Sequence, residues 1–472
     1  MSSILTGQAG GNNRFHVVAD PFCQRDGLPF AEVLPAEIIE QAFVRNDTLF
    51  GQAHDEIFST QIVLWAFLQQ VLGDGKSAAC AAAIAAIATY MHQTGGRAPC
   101  GDTGDYCRAR AKLDLSALRM LVRLTAKQME RKTPDDWLFG GLNAKLVDGF
   151  TFTMPDTLAN QEAFPQSRTQ KPGIGFPIAR AVAVVSLATA AIHGVAIGPY
   201  AGKQTGETAL LRSLLAHFGE GDVAVFDRCL GSYMMIAALL ERGAHVCTRL
   251  HQGREKAAEV DADAQAYDRP VIWKRPARPD WMSPSDYEKI PEQLHLRELQ
   301  FNVLVPGRRT QTITVVTTLT DPTAYPAEDI AALYGYRWNV ELDIRHIKQT
   351  LGLDHVRCMS PQMVRRELAV TLLAYNLIRK VIATAAAVHG KRPRQLGFTL
   401  ACQEVLSSWM VISIGACRDA KGLWRAMLRR IAANEVANRP GRIEPRKLKR
   451  RKHRYSLMTQ PREQLREELR MT

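Results

Sequence analysis

One stretch of the chain, ALYGYRWNVELDIRHIKQTLGL, carries polar side chains at spacings that suit chemistry on a phosphodiester. At about 100° per residue of an α-helix, its four candidates project within about 60° of one another. They are Tyr334, Arg337, Glu341 and Lys348. A carboxylate can hold a metal ion, and the arginine and lysine beside it can hold phosphates. The pattern therefore favours metal-dependent cleavage or transfer of a phosphodiester.

The aliphatic residues of this stretch form a neighbouring stripe that we expect to face a core. They are Leu333, Val340, Ile344, Ile347 and Leu351. On a simple surface helix the polar residues would lie opposite such a stripe rather than beside it. The alternative is an ordinary amphipathic helix in which Arg337 and Glu341 form an i,i+4 ion pair. We expect Trp338 to pack in the core and His346 to point away from the polar stripe.

Two aspartates upstream could complete a set of three carboxylates. Asp148 lies in KLVDGFTF and Asp227 in VAVFDRCLGSY, each at the end of a strand-like run. Asp148 and the glycine after it could instead form a hairpin turn. Asp227 could be a turn residue or cap the helix near Ser232. Asp156, in a loop, and Asp222, at the start of its strand, are weaker candidates because neither lies where a strand ends.

The elements that must position these residues indicate an α/β protein. Helices are expected over most of 36–140. Next we expect short strands at 145–147 and 150–154, then strands at 180–189 and 192–198, a helix at 207–218, a strand at 222–226, a helix at 232–242 and a strand at 245–250. The segment 251–322 reads as mostly β or irregular. Long helices are expected at 326–351, ending at Gly352, at 361–388 after the N-cap Ser360, and within 396–434.

The spacing Y-x2-R-x3-E-x6-K resembles the signature of bacterial insertion-sequence transposases of the insertion-sequence-four group. The sequences YRWNVELDIRHIKQTLGLDHVR and LLAYNLIR also resemble that family. The resemblance implies a ribonuclease H-like catalytic domain with one Asp on its first strand, a second Asp just after its fourth strand and the Glu on a later helix. Asp148, Asp227 and Glu341 would then be the catalytic and metal-binding residues. The long stretch of sequence between Asp227 and Glu341 fits the β-rich insertion that this family carries there.

This resemblance implies a particular domain organisation. The segments are an N-terminal arm (1–35), a helical DNA-binding domain (36–140), the first part of the ribonuclease H-like core (141–250), a β-rich insertion (251–322), the second part of the core with the Glu helix (323–390), and a C-terminal helical region with a basic tail (391–472).

The same resemblance implies the reaction. The three carboxylates would hold Mg²⁺, or Mn²⁺ in its place, as two ions that activate the attacking oxygen and stabilise the leaving one. Water attack would free a 3′-OH at the element end, and that 3′-OH would attack target DNA. Arg337 and Lys348 would contact phosphates, and Tyr334 would hydrogen-bond one. Some members cut the second strand through a DNA hairpin, using a Trp in the last insertion strand, but QTITVVTTLT has none.

The charge of the chain favours a polyanionic partner. Its 472 residues include 60 Lys and Arg against 47 Asp and Glu, a net charge of +13. Nucleic acid is the commonest partner of so basic a protein. The tail RPGRIEPRKLKRRKHR concentrates this charge, although it could also be a solubilising segment. Its candidate DNA-binding residues, which we call the basic tail, are Arg446, Lys447, Lys449, Arg450 and Arg451.

Other classes of protein are disfavoured. The N-terminus does not resemble a signal peptide, and the apolar run 78–91 is too short to span a bilayer. Nine cysteines without a CxxC pair indicate a reducing compartment, with neither a disulfide framework nor a zinc site. The glycine-rich pieces lack the Gly-Lys-Ser/Thr of a P-loop, so ATP use is not indicated. We expect a cytoplasmic, nucleoid-associated protein that does not contact a membrane.

These observations together predict a transposase that cleaves double-stranded DNA at the inverted-repeat ends of a mobile element and joins the ends to target DNA. Family behaviour implies a homodimer on paired ends. One alternative is a ribonuclease H-like, structure-selective nuclease or resolvase, which would cut without joining. Another is a catalytically inactive, transposase-derived DNA-binding protein. A glycosidase with paired carboxylates would not require the net positive charge.

Overall fold

The computed structural model describes residues 36–45, 47–51, 56–93, 95–255, 267–303, 311–413, 419–436 and 458–471. The predicted N-terminal arm and the five residues of the basic tail lie outside these ranges. The chain forms two compact units. Unit one contains the described residues of Met1–Thr133 together with Ala188–Gly194 and Asp343–Val436. Unit two contains Pro134–Leu187, Val195–Leu342 and the described residues of Ala437–Thr472.

The first part of unit one is helical, as predicted for 36–140. Its helices are α1 (Ala36–Val44), α2 (Thr60–Leu72), α3 (Cys80–Gln93), α4 (Gly104–Ala111) and α5 (Leu115–Arg131). Ser59 caps α2 by accepting a hydrogen bond from the backbone N–H of Ile62, and Asp114 caps α5 through the N–H of Ala117. These caps accept hydrogen bonds from backbone N–H groups that have no partner within the first turn of a helix. The cap at Asp114 marks the start of α5 and separates it from α4.

Unit two is built on an eight-stranded sheet with the order β3-β2-β1-β4-β5-β8-β7-β6. The strands are β1 (Asn143–Thr153), β2 (Ile178–Ser186), β3 (Ile192–Pro199), β4 (Asp222–Phe226), β5 (His245–Arg249), β6 (Asp268–Lys274), β7 (Gln293–Val303) and β8 (Gln311–Thr317). β1 pairs antiparallel with β2 and parallel with β4, and β4 pairs parallel with β5. The α/β class and the two strands expected within 180–198 are confirmed.

Short helices accompany this sheet and close its core. They are α6 (Leu158–Ala163), α7 (Glu207–Arg212), α8 (Tyr233–Leu240), α9 (Gln252–Glu255) and α10 (Pro284–Glu288). Residues of β1, β2, β4, β5 and α8 belong to one buried hydrophobic cluster. Its members include Val147, Val184, Ala224, Val246 and Ile236, each at most 1% exposed. Because both faces of these central strands are packed, their carboxyl ends are held in fixed positions.

The segment expected to be a β-rich insertion contributes β6, β7 and β8 to the same sheet. β8 pairs antiparallel with β5, where Cys247 lies opposite Thr317, and antiparallel with β7 on its other side. The β content predicted for 251–322 is therefore confirmed for the described strands. These strands extend the central sheet beyond β5 instead of forming a second sheet.

The predicted helix over 326–351 keeps its bounds but not its uniform geometry. It consists of α11 (Ala327–Gly335), a 3₁₀ turn (Tyr336–Trp338), α12 (Asn339–Arg345) and a π turn (His346–Thr350). Gly352 follows with φ +72, a conformation that ends helices and that other residues rarely adopt. All five aliphatic residues of the predicted stripe are buried, at 0–7% exposure, so the expectation of a core-facing stripe is confirmed.

The remaining helices are α13 (Pro361–Val388), α14 (Phe398–Ser413) and α15 (Ala420–Ala433) in unit one, and α16 (Arg462–Met471) in unit two. Ser360 caps α13 as predicted, by accepting the N–H of Met363. By length and composition α13 could cross a membrane, but 89% of its most apolar window is buried inside the protein. At its centre the buried amide of Asn376 hydrogen-bonds Ile192 and the carbonyl of Val122. α13 is therefore a core helix of unit one.

Candidate active site

The pairing of β1 with β4 brings two predicted carboxylates side by side. The printed parallel register ends with Leu146 opposite Val225, and Asp148 and Asp227 each follow two residues later in the chain. Adjacent strands lie about 4.8 Å apart, and side chains at matched positions point to the same face. Asp148 lies inside β1, opposite Ala183 of β2. The hairpin alternative and the expected strand-end position of Asp148 are therefore wrong, because β1 continues to pair with β2 after its parallel pairing with β4 has ended.

The carboxylate of Asp148 is largely buried, with 22% of its side chain exposed. Its Oδ1 accepts a hydrogen bond from the N–H of Gly149 at 2.9 Å. Burial raises the pKa of Asp148 to about 6. The Gly149 N–H and Arg337 act to lower this pKa, while the negative charges of Glu341 and Asp227 act to raise it. Asp148 therefore lies within electrostatic range of the other two predicted acids.

Asp227 directly follows β4 and begins a turn. Its Oδ1 accepts the N–H of Cys229 at 3.0 Å, and its carbonyl accepts the hydroxyl of Thr248 at 3.1 Å. The Oγ of Ser232 caps α8 by accepting the N–H of Met235, so the alternative that Asp227 caps this helix is wrong. The other alternative, that Asp227 is a turn residue, is correct. The turn holds the Asp227 carboxylate at the edge of the sheet where β4 ends.

The two weaker aspartate candidates have other partners. Asp222 begins β4, and its buried Oδ2 lies 2.7 Å from Nζ of Lys145 and accepts the N–H of Gly219. This buried pair stabilises the amino end of β4, opposite the edge that carries Asp227. Asp156 lies in the loop after β1, where its Oδ1 accepts the side-chain amide of Gln161. Neither residue belongs to the group of candidate acids near the carboxyl end of β4.

Arg337 connects Asp148 with Glu341. Its guanidinium lies 3.7 Å from Oδ2 of Asp148 and 3.6 Å from Oε1 of Glu341. The Arg337 side chain is 9% exposed and that of Glu341 is 45% exposed. The i,i+4 pair offered as an alternative thus exists, but it also reaches β1. Trp338 is 59% exposed and stacks on the Arg337 guanidinium at 4.3 Å, so its expected core role is wrong. The 3₁₀ turn places its ring over Arg337 instead.

Tyr334 and a residue that the sequence did not indicate, Arg249, extend this group. Tyr334 is 5% exposed. Burial raises the pKa of its hydroxyl, and the positive charges of Arg337 and Arg249 lower it. Arg249 ends β5, the strand beside β4. Among the described residues, the Nε atoms of Arg249 and Arg337 are buried and have no hydrogen-bond partner. The sequence did show that Arg249 lies at the end of a strand. Recognising it as a site residue also requires knowing that this strand lies beside β4 in the sheet.

Lys348, the fourth residue of the predicted stripe, belongs to unit one, whereas Tyr334, Arg337 and Glu341 belong to unit two. Its ammonium lies 3.0 Å from Oδ1 of Asp354. Lys348 is also part of the π turn, where the advance per residue differs from that of an α-helix. The angle projected for Lys348 from uniform α geometry therefore does not apply.

The donor set suits a hard divalent cation, since Asp148, Asp227 and Glu341 offer carboxylate oxygens. Within the described ranges, no group of three or more His, Cys, Asp or Glu side chains is already arranged to hold a metal ion. The guanidinium of Arg337 lies between two of the three acids instead. The residues thus fit a metal by their chemistry, and closing the site around an ion requires Arg337 to exchange its partners.

Comparison with known proteins defines the class to which this site belongs. The chain belongs to the transposase DDE domain family, whose model matches residues 140–377. It is also 27% identical over 353 residues to the transposase InsG for insertion sequence element IS4 of Escherichia coli (strain K12), a match that covers 74% of this chain and 76% of InsG.

A cryo-EM structure of a piggyBac transposase synaptic complex with hairpin DNA aligns with 93% of this chain and 88% of that one, at 9% identity and a TM-score of 0.43. The family and InsG matches confirm the expected family and enzyme class, a transposase that cleaves and joins DNA with divalent metal ions.

Proposed function

We propose that Asp148, Asp227 and Glu341 are the metal-holding carboxylates of a ribonuclease H-like centre that cuts element ends and joins them to target DNA. The observation that carries this proposal is that Arg337 contacts both Asp148 and Glu341. It is supported by the β1–β4 register, which ends two residues before Asp148 and Asp227, and by the effect of the Asp227 charge on Asp148. The order β3-β2-β1-β4-β5, with β1 antiparallel to β2 and parallel to β4, supports the ribonuclease H-like assignment.

Arg337 and Arg249 supply the phosphate contacts in this proposal. Each has a buried Nε donor without a partner among the described residues, and a buried unpaired donor is unfavourable unless an acceptor arrives. A phosphate of bound DNA is such an acceptor. When it arrives, Arg337 turns from Asp148 and Glu341 to the phosphate, and the hydroxyl of Tyr334 donates to a neighbouring phosphate oxygen. The departure of Arg337 leaves the acids free to converge.

Mg²⁺, or Mn²⁺ in its place, is the expected ion, and two ions would polarise the scissile phosphate and promote deprotonation of the attacking oxygen. Asp148 and Asp227 would hold them from the sheet edge and Glu341 from the helix. Water first attacks phosphorus at the element end and releases a 3′-OH. That 3′-OH then attacks a target phosphodiester, which forms one P–O bond and breaks another.

DNA cleavage by Glu341→Gln tests the proposed site. This variant keeps the side-chain volume and removes the charged ligand, so we expect cleavage of end DNA with Mg²⁺ to be lost. Glu328→Gln is the matched control, because Glu328 is exposed on α11 of the same helical segment. Equal cleavage by the wild type and Glu341→Gln would refute the assignment. A strand-transfer assay distinguishes a transposase, which joins ends, from a resolvase-like nuclease, which only cuts.

The interactions with DNA follow from charge. The helical region 36–140 would recognise element ends, a homodimer would hold two ends together, and Lys348 and the basic tail would attract phosphates without sequence preference. Such a protein would work in the cytoplasm, bound to the nucleoid. Sizing of the protein with and without paired end DNA tests the dimer. A complex that carries one protein through cleavage and joining would contradict it.

A further inference from the structure

The side chain of Glu207 is pressed against the strand that carries Asp148. Glu207 is the first residue of α7. A Cβ atom built on Gly149 would lie 2.9 Å from Cγ of Glu207 and would overlap its Cδ and Oε1 atoms. Any residue other than glycine at position 149 would therefore displace the carboxylate. Glycine inside a strand is typical of such a close approach.

This contact places a fourth carboxylate beside the proposed site. Gly149 directly follows Asp148, and the negative charge of Asp227 acts on the carboxyl group of Glu207. Burial raises the pKa of Glu207, Arg180 lowers it, and Asp227 raises it further. Glu207 thus lies within electrostatic range of Asp227 as well as in contact with the residue after Asp148.

The cation whose charge acts on Glu207, Arg180, is held by other groups. Arg180 donates a hydrogen bond to the carbonyl of Thr205 at 3.3 Å, and its guanidinium stacks on the ring of Tyr200 at 4.8 Å. Among the described residues, no hydrogen bond or ion pair to the Glu207 carboxylate is found. A half-buried carboxylate held without such a partner, among other acids, is unfavourable unless a cation neutralises it.

We propose that Glu207 is a fourth carboxylate of the catalytic centre and supplies an oxygen ligand to the divalent ion held by Asp148 and Asp227. The inference rests on the proposed function of that site. Gly149 then has a specific task, since the absence of its side chain admits the Glu207 carboxylate to the edge of β1.

Binding of Mn²⁺ to the full-length protein, measured by calorimetry, tests the inference independently of activity. Replacement of the anionic carboxylate by a neutral amide in Glu207→Gln is expected to weaken Mn²⁺ binding about 10-fold, the lower end of what supporting groups of metal sites contribute. The matched control is Glu220→Gln, because Glu220 is exposed just before the amino end of β4. This control is expected to bind as the wild type does.

A second set of variants tests the role of Gly149. Gly149→Ala is expected to weaken Mn²⁺ binding by a similar factor, because the new Cβ displaces the Glu207 carboxylate. In a Glu207→Ala background that clash is absent, so adding Gly149→Ala is expected to cause no further loss. Circular dichroism of each variant checks that unit two remains folded.

The outcomes separate this inference from the proposed function. If Asp148→Asn and Glu341→Gln weaken Mn²⁺ binding while Glu207→Gln binds as the wild type does, Glu207 is not a ligand and the three-carboxylate site stands. If Asp148→Asn also binds normally, the proposed site itself fails. A loss with Gly149→Ala that persists undiminished in the Glu207→Ala background would show a packing role for the glycine and overturn the inference.

Discussion

The buried carboxylate of Asp343 predicts a large loss of stability on its removal. Its side chain is 1% exposed. It accepts hydrogen bonds from Arg379 at 2.9 Å, from Arg394 at 2.8 Å and from the hydroxyl of Tyr375 at 3.1 Å. Arg379 is itself 3% exposed, so Asp343→Ala would leave a buried guanidinium without this acceptor.

The expected magnitude follows from that burial. Breaking a buried ion pair by removing one partner reduces the free energy of unfolding by about 3–5 kcal/mol. The matched control is Asp105→Ala, since Asp105 pairs with Arg108 on the surface of α4 and both side chains are at least half exposed. Exposed pairs contribute about 0–1 kcal/mol. Both pairs belong to unit one, so the same unfolding transition reports both changes.

Urea unfolding followed by far-UV circular dichroism measures the effect, with the transitions of the two units fitted separately. The double variant Asp343→Leu with Arg379→Met is expected to recover much of the loss, because the fully buried guanidinium is removed together with its carboxylate, while Arg394 is 18% exposed and can reach water. A free energy of unfolding for Asp343→Ala within about 1 kcal/mol of the wild type, the range of an exposed pair, would refute the reasoning. So would a double variant less stable than Asp343→Ala.

Three other predictions concern catalysis, pH and salt. Arg337→Gln should lower the rate of end cleavage about 10²–10³-fold, the effect of removing one positioned donor, and Arg337→Lys should restore only part of it; wild-type cleavage by Arg337→Gln would contradict this role. Burial, and next Arg379, lower the pKa of His346 from 6.5 to about 4, and Arg379 donates to its Nδ1. The unfolded ring gains a proton below 6.5 while the folded ring does not, so the free energy of unfolding should fall as the pH drops from 6.5 toward 4. Urea midpoints at neutral and mildly acidic pH should differ less in His346→Gln than in the wild type; an equal difference would rule out His346 as the source. Changing all five basic-tail residues to Gln should reduce the slope of log K for DNA against log salt by up to about 4–5; an unchanged slope would show that the tail does not contact phosphates.

Local signals in the sequence predicted much of the fold. The N-cap Ser360, the glycine at 352 and the alternation of apolar residues gave the main helices and strands, because capping and periodicity depend on near neighbours. The same kind of signal gave the aliphatic stripe from Leu333 to Leu351, which is buried. The spacing of Tyr334, Arg337, Glu341 and Lys348 gave the family, since that signature is confined to one helical segment.

The assumption that residues 326–351 form one uniform α-helix was wrong. The projection of Lys348 and the core role of Trp338 both assumed an unbroken α-helix, whereas a 3₁₀ turn and a π turn interrupt it. Hydrogen-bond patterns of this kind depend on what the segment packs against. The directions of Trp338 and Lys348, which lie in these two turns, could therefore not be projected from the sequence, although the broader aliphatic stripe could.

The sequence by itself determined the order of elements, the basic character and the candidate acids Asp148, Asp227 and Glu341. Only the tertiary structure decided that Arg337 lies between two of these acids, that Arg249 joins the group and that Gly149 admits Glu207. These contacts join residues far apart in the chain. They are set by strand register and by the packing of helices on the sheet, which no local pattern encodes.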